Sequence, residues 1–175
     1  MIARLAALMG RRGAGPAADV AVGPGERVLA VALSGRGPVA ATRDAIYVPA
    51  GSGAVVRVPW ERVEAADWDS EAGVLRVTEL GSWGLERPVH VLALEQPGRL
   101  LELVRERVTA SIVFQMHVVV RDDRGLRVVA RRAPSGAREI AWLVHYDDGI
   151  DPAEPAVRRV AAAALAQARA EVEPG

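Results

Sequence analysis

The chain has 175 residues, half of them hydrophobic, enough for one substantial core or for a small domain with an extension. Its 22 basic and 22 acidic residues cancel, which argues against a nucleic-acid binder that works by bulk charge. The absence of cysteine rules out disulfides, thiol catalysis and thiolate zinc sites, and no apolar run approaches the length needed to span a bilayer.

Residues 1–24 read as a terminal helix followed by a linker. In "MIARLAALMGRRG", Ile2, Leu5, Leu8 and Met9 fall at helical spacing beside Arg4, Arg11 and Arg12. That pattern fits a helix docked on a partner, or one lying at a membrane surface. Arg4 interrupts the start, so the stretch is a poor signal peptide. The small residues and prolines of "GAGPAADVAVGPGE" mark the linker.

From Glu26 onward the pattern is that of short strands separated by turns. The expected strands are "RVLAVALS" (Arg27–Ser34), "VAATRDAIYVP", "VVRVPW", a run ending at Trp68, "VLRVTEL" (Val74–Leu80) and "RPVHVLALE" (Arg87–Glu95). Six such runs with turn signals between them predict a small antiparallel barrel or sandwich. In "PGRLLELVRERVTA", Pro97 suits a first helical turn, and Leu100, Leu101, Val104 and Val108 form an apolar stripe.

A second pattern occupies 111–175. "SIVFQMHVVV" predicts a strand, "RDDRG" a turn in which Gly125 takes the left-handed conformation, and "LRVVARRAP" the returning strand. In "EIAWLVHY", Ile140, Trp142, Val144 and Tyr146 alternate with Glu139, Ala141, Leu143 and His145. "DPAE" predicts a helix starting at Asp151, with Val157, Val160, Ala161, Ala164, Leu165, Ala168 and Val172 as its narrow apolar stripe. The expected fold class is α+β, with a helix-closed barrel or sandwich over 25–110 and a β-β-β-α extension over 111–175.

Thr42, Ile46, Val58, Pro59, Trp60, Val63, Ala66 and Trp68 give the stretch a likeness to a known family. With the strand order ending in one amphipathic helix, Gly25 to Ala110 resembles bacterial pleckstrin-homology (PH)-like domains. The resemblance implies a bent sheet with Trp60 and Trp68 filling its interior and the helix plugging one end. Lipid-binding members carry several basic residues around the first hairpin. Here that hairpin offers only Arg36, with Arg43 farther along, so phosphoinositide binding is not carried over. What the resemblance implies instead is a scaffold for protein contacts or self-association.

The remaining candidates for chemistry are few. His145, Asp147, Asp148, Asp151 and Glu154 cluster around an acidic turn at 147–154, which reads either as a divalent-cation or small-molecule site or as helix capping. His90, His117 and His145 each stand alone within an apolar strand, no serine sits in a G-x-S-x-G elbow, and Asp122 and Asp123 fall in a hairpin turn. Trp83, between Ser82 and Gly84 in a loop, lacks the alternation that would bury it and is a candidate contact anchor. With Arg36, it makes up the expected partner surface. The sequence therefore predicts a cytoplasmic, non-enzymatic bacterial protein without cofactor, binding a protein partner or itself. The alternatives are membrane-surface recruitment through the N-terminal helix, and ligand or metal binding at the acidic turn.

Overall fold

The computed structural model describes residues 20–50, 53–81, 87–134 and 139–172. Seven antiparallel strands come first: β1 (Ala30–Ser34), β2 (Gly37–Ala41), β3 (Ala45–Pro49), β4 (Val55–Pro59), β5 (Val63–Asp69), β6 (Val74–Glu79) and β7 (Val89–Glu95). A single 3₁₀ turn, Trp60–Arg62, joins β4 to β5. Helix α1 (Arg99–Ser111) follows, then β8 (Ile112–Arg121), β9 (Arg124–Arg132), β10 (Ile140–Tyr146) and helix α2 (Pro155–Val172).

The strand count exceeds the sequence expectation because "VAATRDAIYVP" is a hairpin, not one strand. The Thr42 hydroxyl accepts hydrogen bonds from the Asp44 and Ala45 amides, each at 3.1 Å, and turns the chain between β2 and β3. The sheet order is β4-β3-β2-β1-β7-β6-β5. It corrects the expected closed barrel: among the described residues β4 and β5 are free outer edges. Among the described residues, the strand pairing that joins the four-strand and three-strand halves is that of Leu33 and Ser34 of β1 with Glu95 and Leu94 of β7.

The halves share one core. Ala32, Val39, Ile46, Val48 and Val58 meet Leu75, Val77, Leu92 and Leu94, and α1 adds Leu100, Leu103 and Val104. The helix thus buries Leu103 more deeply than its stripe suggested, while Leu101 and Val108 are only partly buried. Trp60 is fully buried, with its indole N–H donating to the Thr42 carbonyl at 3.2 Å; Trp68 packs against the same core, partly exposed. Trp60 thus lies in the interior, while Trp68 sits at its margin.

The end of the expected linker is ordered structure. Val20 is buried with Ala40, Ala45 and Tyr47 on the outer face of β2 and β3, and the Gly23 amide donates to the Tyr47 hydroxyl at 2.8 Å. Glu26 then accepts hydrogen bonds from the Thr42 hydroxyl and from Arg57 Nε at 2.8 Å. Burial opposes its charge, but these hydrogen bonds and the Arg57 charge hold the carboxyl below its ordinary pKa.

Strands β8, β9 and β10 form a second sheet, ordered β10-β9-β8. α2 covers one face, seating Ala161, Ala164 and Ala168 on Leu126 and Val128, with Phe114, Met116, Trp142, Val144 and Tyr146 around them. In β10, Trp142, Val144 and Tyr146 pack on this core as expected, but every residue of the strand is half-buried, so the two faces are not divided into buried and exposed. Two further local expectations are not met. Asp122, at φ 54, makes the left-handed turn, and Gly125 lies in β9. A Cβ at Gly125 would stand 1.9 Å from the Val118 carbonyl oxygen, so close approach of the backbones explains the glycine. The helix begins at Pro155, not just after Asp151. A proline there has no amide to bond back into a preceding helical turn and disfavours helical geometry at Glu154. Asp151 instead caps a separate turn, accepting from the Ala153 amide at 2.8 Å.

Candidate functional site

The open edge at β5 leaves the first core accessible from one side. Ala66 and Trp68 on β5 and Leu75 on β6 face Leu101, Val104 and Val108 of α1 across a groove of about 490 Å³. Glu102, Arg105 and Thr109 stand along its helical wall. The apolar stripe of α1 is wide enough that Leu101 and Val108 flank the buried residues, and among the described residues no strand beyond β5 covers them. Trp68 therefore supplies a large apolar wall beside a strand edge, a combination suited to an extended polypeptide.

The start of β5 is held differently. The β5–β6 register shifts between Val63 and Ala65, leaving Glu64 at a bulge. Arg131 of β9 donates to the Glu64 carbonyl from Nη2 at 3.0 Å. Its Nη1 donates to the Val108 carbonyl at 3.1 Å and to the Ser111 hydroxyl at 2.7 Å, at the end of α1. Arg131 is only 4% exposed, and burial pushes its pKa down against the pull of Glu64. The Glu64 carboxylate in turn receives Arg87 at 2.7 Å and lies 3.1 Å from His145 Nδ1. Burial lowers the His145 pKa; Glu64 opposes this, and the charges of Arg87, Arg131 and Arg127 reinforce it. This cluster fastens the second sheet to the first unit.

The other candidates are dispersed. Arg36, exposed in the β1–β2 turn, donates to the Val91 carbonyl on β7. Trp83 and the N-terminal helix region, residues 1–12, lie outside the described residues. The acidic turn is divided among partners: Asp147 accepts from the Gly125 amide at 2.7 Å and lies 2.9 Å from His117 Nε2, Glu154 pairs with Arg121 at 3.4 Å, and His145 turns to Glu64. Among the described residues no three His, Asp or Glu side chains converge to hold an ion. His90 Nε2 lies 2.7 Å from Glu79. Among the described residues no helix is long and apolar enough to cross a membrane.

The sequence reading missed both the groove and the cluster at Glu64. The excess width of the α1 stripe was the available signal for the groove. The cluster left none, since Glu64, Arg87, Arg131 and His145 are far apart in the chain and each is unremarkable locally. The chain matches no protein-family model, no curated protein and no solved structure.

Proposed function

We propose that the protein is a non-enzymatic interaction module that takes an extended, apolar segment of a partner protein in the groove between β5 and α1. The observation that carries this reading is the coincidence of a free strand edge with an apolar trough walled by Trp68, Leu101 and Val108. A strand added to β5 would satisfy its outward backbone groups, and alternate side chains would enter the trough. Two meanders of four and three strands, followed by one helix packed on their shared core, support the PH-like reading of the first unit. The engagement of each histidine with a carboxylate supports a structural role for these residues.

The test is selection from a displayed library of random heptapeptides, with bound peptides mapped by backbone chemical shifts. Peptides that shift Ala66, Trp68 and Leu101, and that lose binding to Val108→Arg, support the groove. Peptides that map elsewhere, or a library that yields no binder, overturn it.

A further inference from the structure

The outer face of the first sheet, turned away from α1 and the core, is covered over only part of its width. Val20 is buried there against Ala40, Ala45 and Tyr47, and Val31 of β1 joins that cluster. Two residues on, on the same face of β1, Leu33 is 43% exposed, and it pairs with Glu95 of β7. Strand β7 turns Leu92 and Leu94 into the core, so Val89, Val91 and Ala93 point outward. Val89 and Val91 are 47% and 41% exposed. Arg36, at the tip of the β1–β2 hairpin, spans the seam between the halves by donating to the Val91 carbonyl. Leu33, Val89 and Val91 thus extend the covered apolar cluster as an uncovered strip. Beyond β7 the register sets Arg76 between Val91 and Asp67, and Val74 between Ala93 and Asp69. Arg76 stands opposite Asp67, whereas Asp69 and Glu95, at the Ala93 end of the strip, stand opposite Val74 and Leu33.

We propose that this strip is the docking site of the chain's own N-terminal segment, residues 1–12. The segment carries what the strip lacks: Ile2, Leu5, Leu8 and Met9 to cover the valines and Leu33, and Arg4, Arg11 and Arg12 to meet the carboxylates. Where the chain arrives decides the occupant. Val20 anchors it on the outer face, in one cluster with Val31, and Leu33 lies only about 7 Å farther along β1. The chain from residue 12 to Val20 reaches at most about 28 Å, enough to bring the segment onto the strip. The groove between β5 and α1 opens on the core side, across the sheet from that anchor. Direction follows from the same anchor. Arg11 and Arg12 come to Glu95 and Asp69, and Met9 back to Ile2 runs along β7 toward Val89. Exposed ion pairs contribute little, so apolar burial holds the segment and the charges orient it. None of this depends on the groove reading.

The chain has no cysteine, so Ala7→Cys accepts a single nitroxide on the otherwise unaltered full chain. The amide signals of Leu33, Val89 and Val91 should lose most of their intensity to the spin label, more than those of Leu101 and Val108 at the groove. Leu8→Asp in the same labelled chain changes no residue of either core and should restore the signals. Val91→Arg, at an exposed position, should restore those of Leu33 and Val89; should it fail to fold, Leu8→Asp decides. When the nitroxide chain is mixed with an isotope-labelled chain that carries no nitroxide, the isotope-labelled signals should stay intact. Four results overturn the proposal: no loss at the strip, a loss greatest at the groove, a loss that survives Leu8→Asp, or a loss that appears in the mixture. The last would assign the strip to the segment of a second copy. If the strip stays unbroadened, co-sedimentation with anionic phospholipid vesicles shows whether the segment serves a membrane instead. Failure of the heptapeptide selection would remove the groove and leave the spin-label result standing.

Discussion

Gly125 and Gly53 separate two reasons for which a chain keeps a glycine. Gly53, at φ +78, has open space where a Cβ would go, so its constraint is backbone conformation. Alanine there should cost about 1–2 kcal/mol, the penalty of an L-residue in the left-handed region. Gly125 has no such φ, but a Cβ would meet the Val118 carbonyl oxygen at 1.9 Å and the adjoining carbon at 2.8 Å. Both are backbone atoms in the register-shifted end of β8–β9, so the hairpin itself must move. We expect Gly125→Ala to lose about 3 kcal/mol in urea denaturation, clearly more than Gly53→Ala. Equal losses would show that the hairpin relaxes freely around residue 125. The reading of "RDDRG" placed the left-handed residue at the glycine by rule. The structure places it at Asp122, because aspartate tolerates that region and the glycine is needed where the strands touch.

Among the elements, hairpin β2–β3 depends on one side chain that the alternation of apolar residues concealed. Thr42 is fully buried, its hydroxyl caps the turn through two amides, and it also donates to Glu26. Thr42→Val would leave those amides without their acceptor and remove one of the hydrogen bonds that stabilise the Glu26 carboxylate. We expect a loss of about 2 kcal/mol at neutral pH, measured by urea denaturation. The acid limb should change as well. Because the folded Glu26 pKa lies below its ordinary 4.5, its charged form contributes stability above that value, and the contribution is lost as pH falls through the folded pKa. Thr42→Val raises the folded pKa, so the variant should show a smaller Glu26-linked loss below about pH 5 than the wild type; an identical acid limb would mean that Arg57 and Tyr47 set the carboxylate without Thr42. What was legible in sequence follows from this contrast. Strand-length apolar runs report burial, whereas the α1 stripe missed Leu103 and the alternation of β10 did not translate into one buried and one exposed face. Thr42, Pro155 and the bulge at Glu64 act through single backbone groups, which hydrophobic periodicity does not encode. Pro155 could have been read from the sequence, since a proline four residues after a proposed cap contradicts a helix running through it.

At the scale of the whole molecule, the two sheets have separate cores, and the polar cluster at Arg131 ties them together. One core gathers around Trp60 and Leu100, the other around Leu126 and Ala164, and Arg131 bridges them through Glu64, Val108 and Ser111. Such a tie is directional: it fixes the second sheet against the β5 bulge, but it loses its value when the donor is removed. Arg131→Met would keep much of the packing volume while leaving two carbonyls and a hydroxyl without that donor in a largely dry site. The expected cost is about 3 kcal/mol. More telling is cooperativity. Trp60 and Trp68 report on the first core and Trp142 on the second, so replacing Trp83 together with either set by phenylalanine gives a probe for each unit. In the wild type, urea transitions followed by the two probes should coincide, because the cluster couples the units. In Arg131→Met the Trp142 transition should move to lower urea and separate from the other. Coincident transitions in the variant would mean that contact between the Trp60–Arg62 turn, α1 and the second sheet carries the coupling.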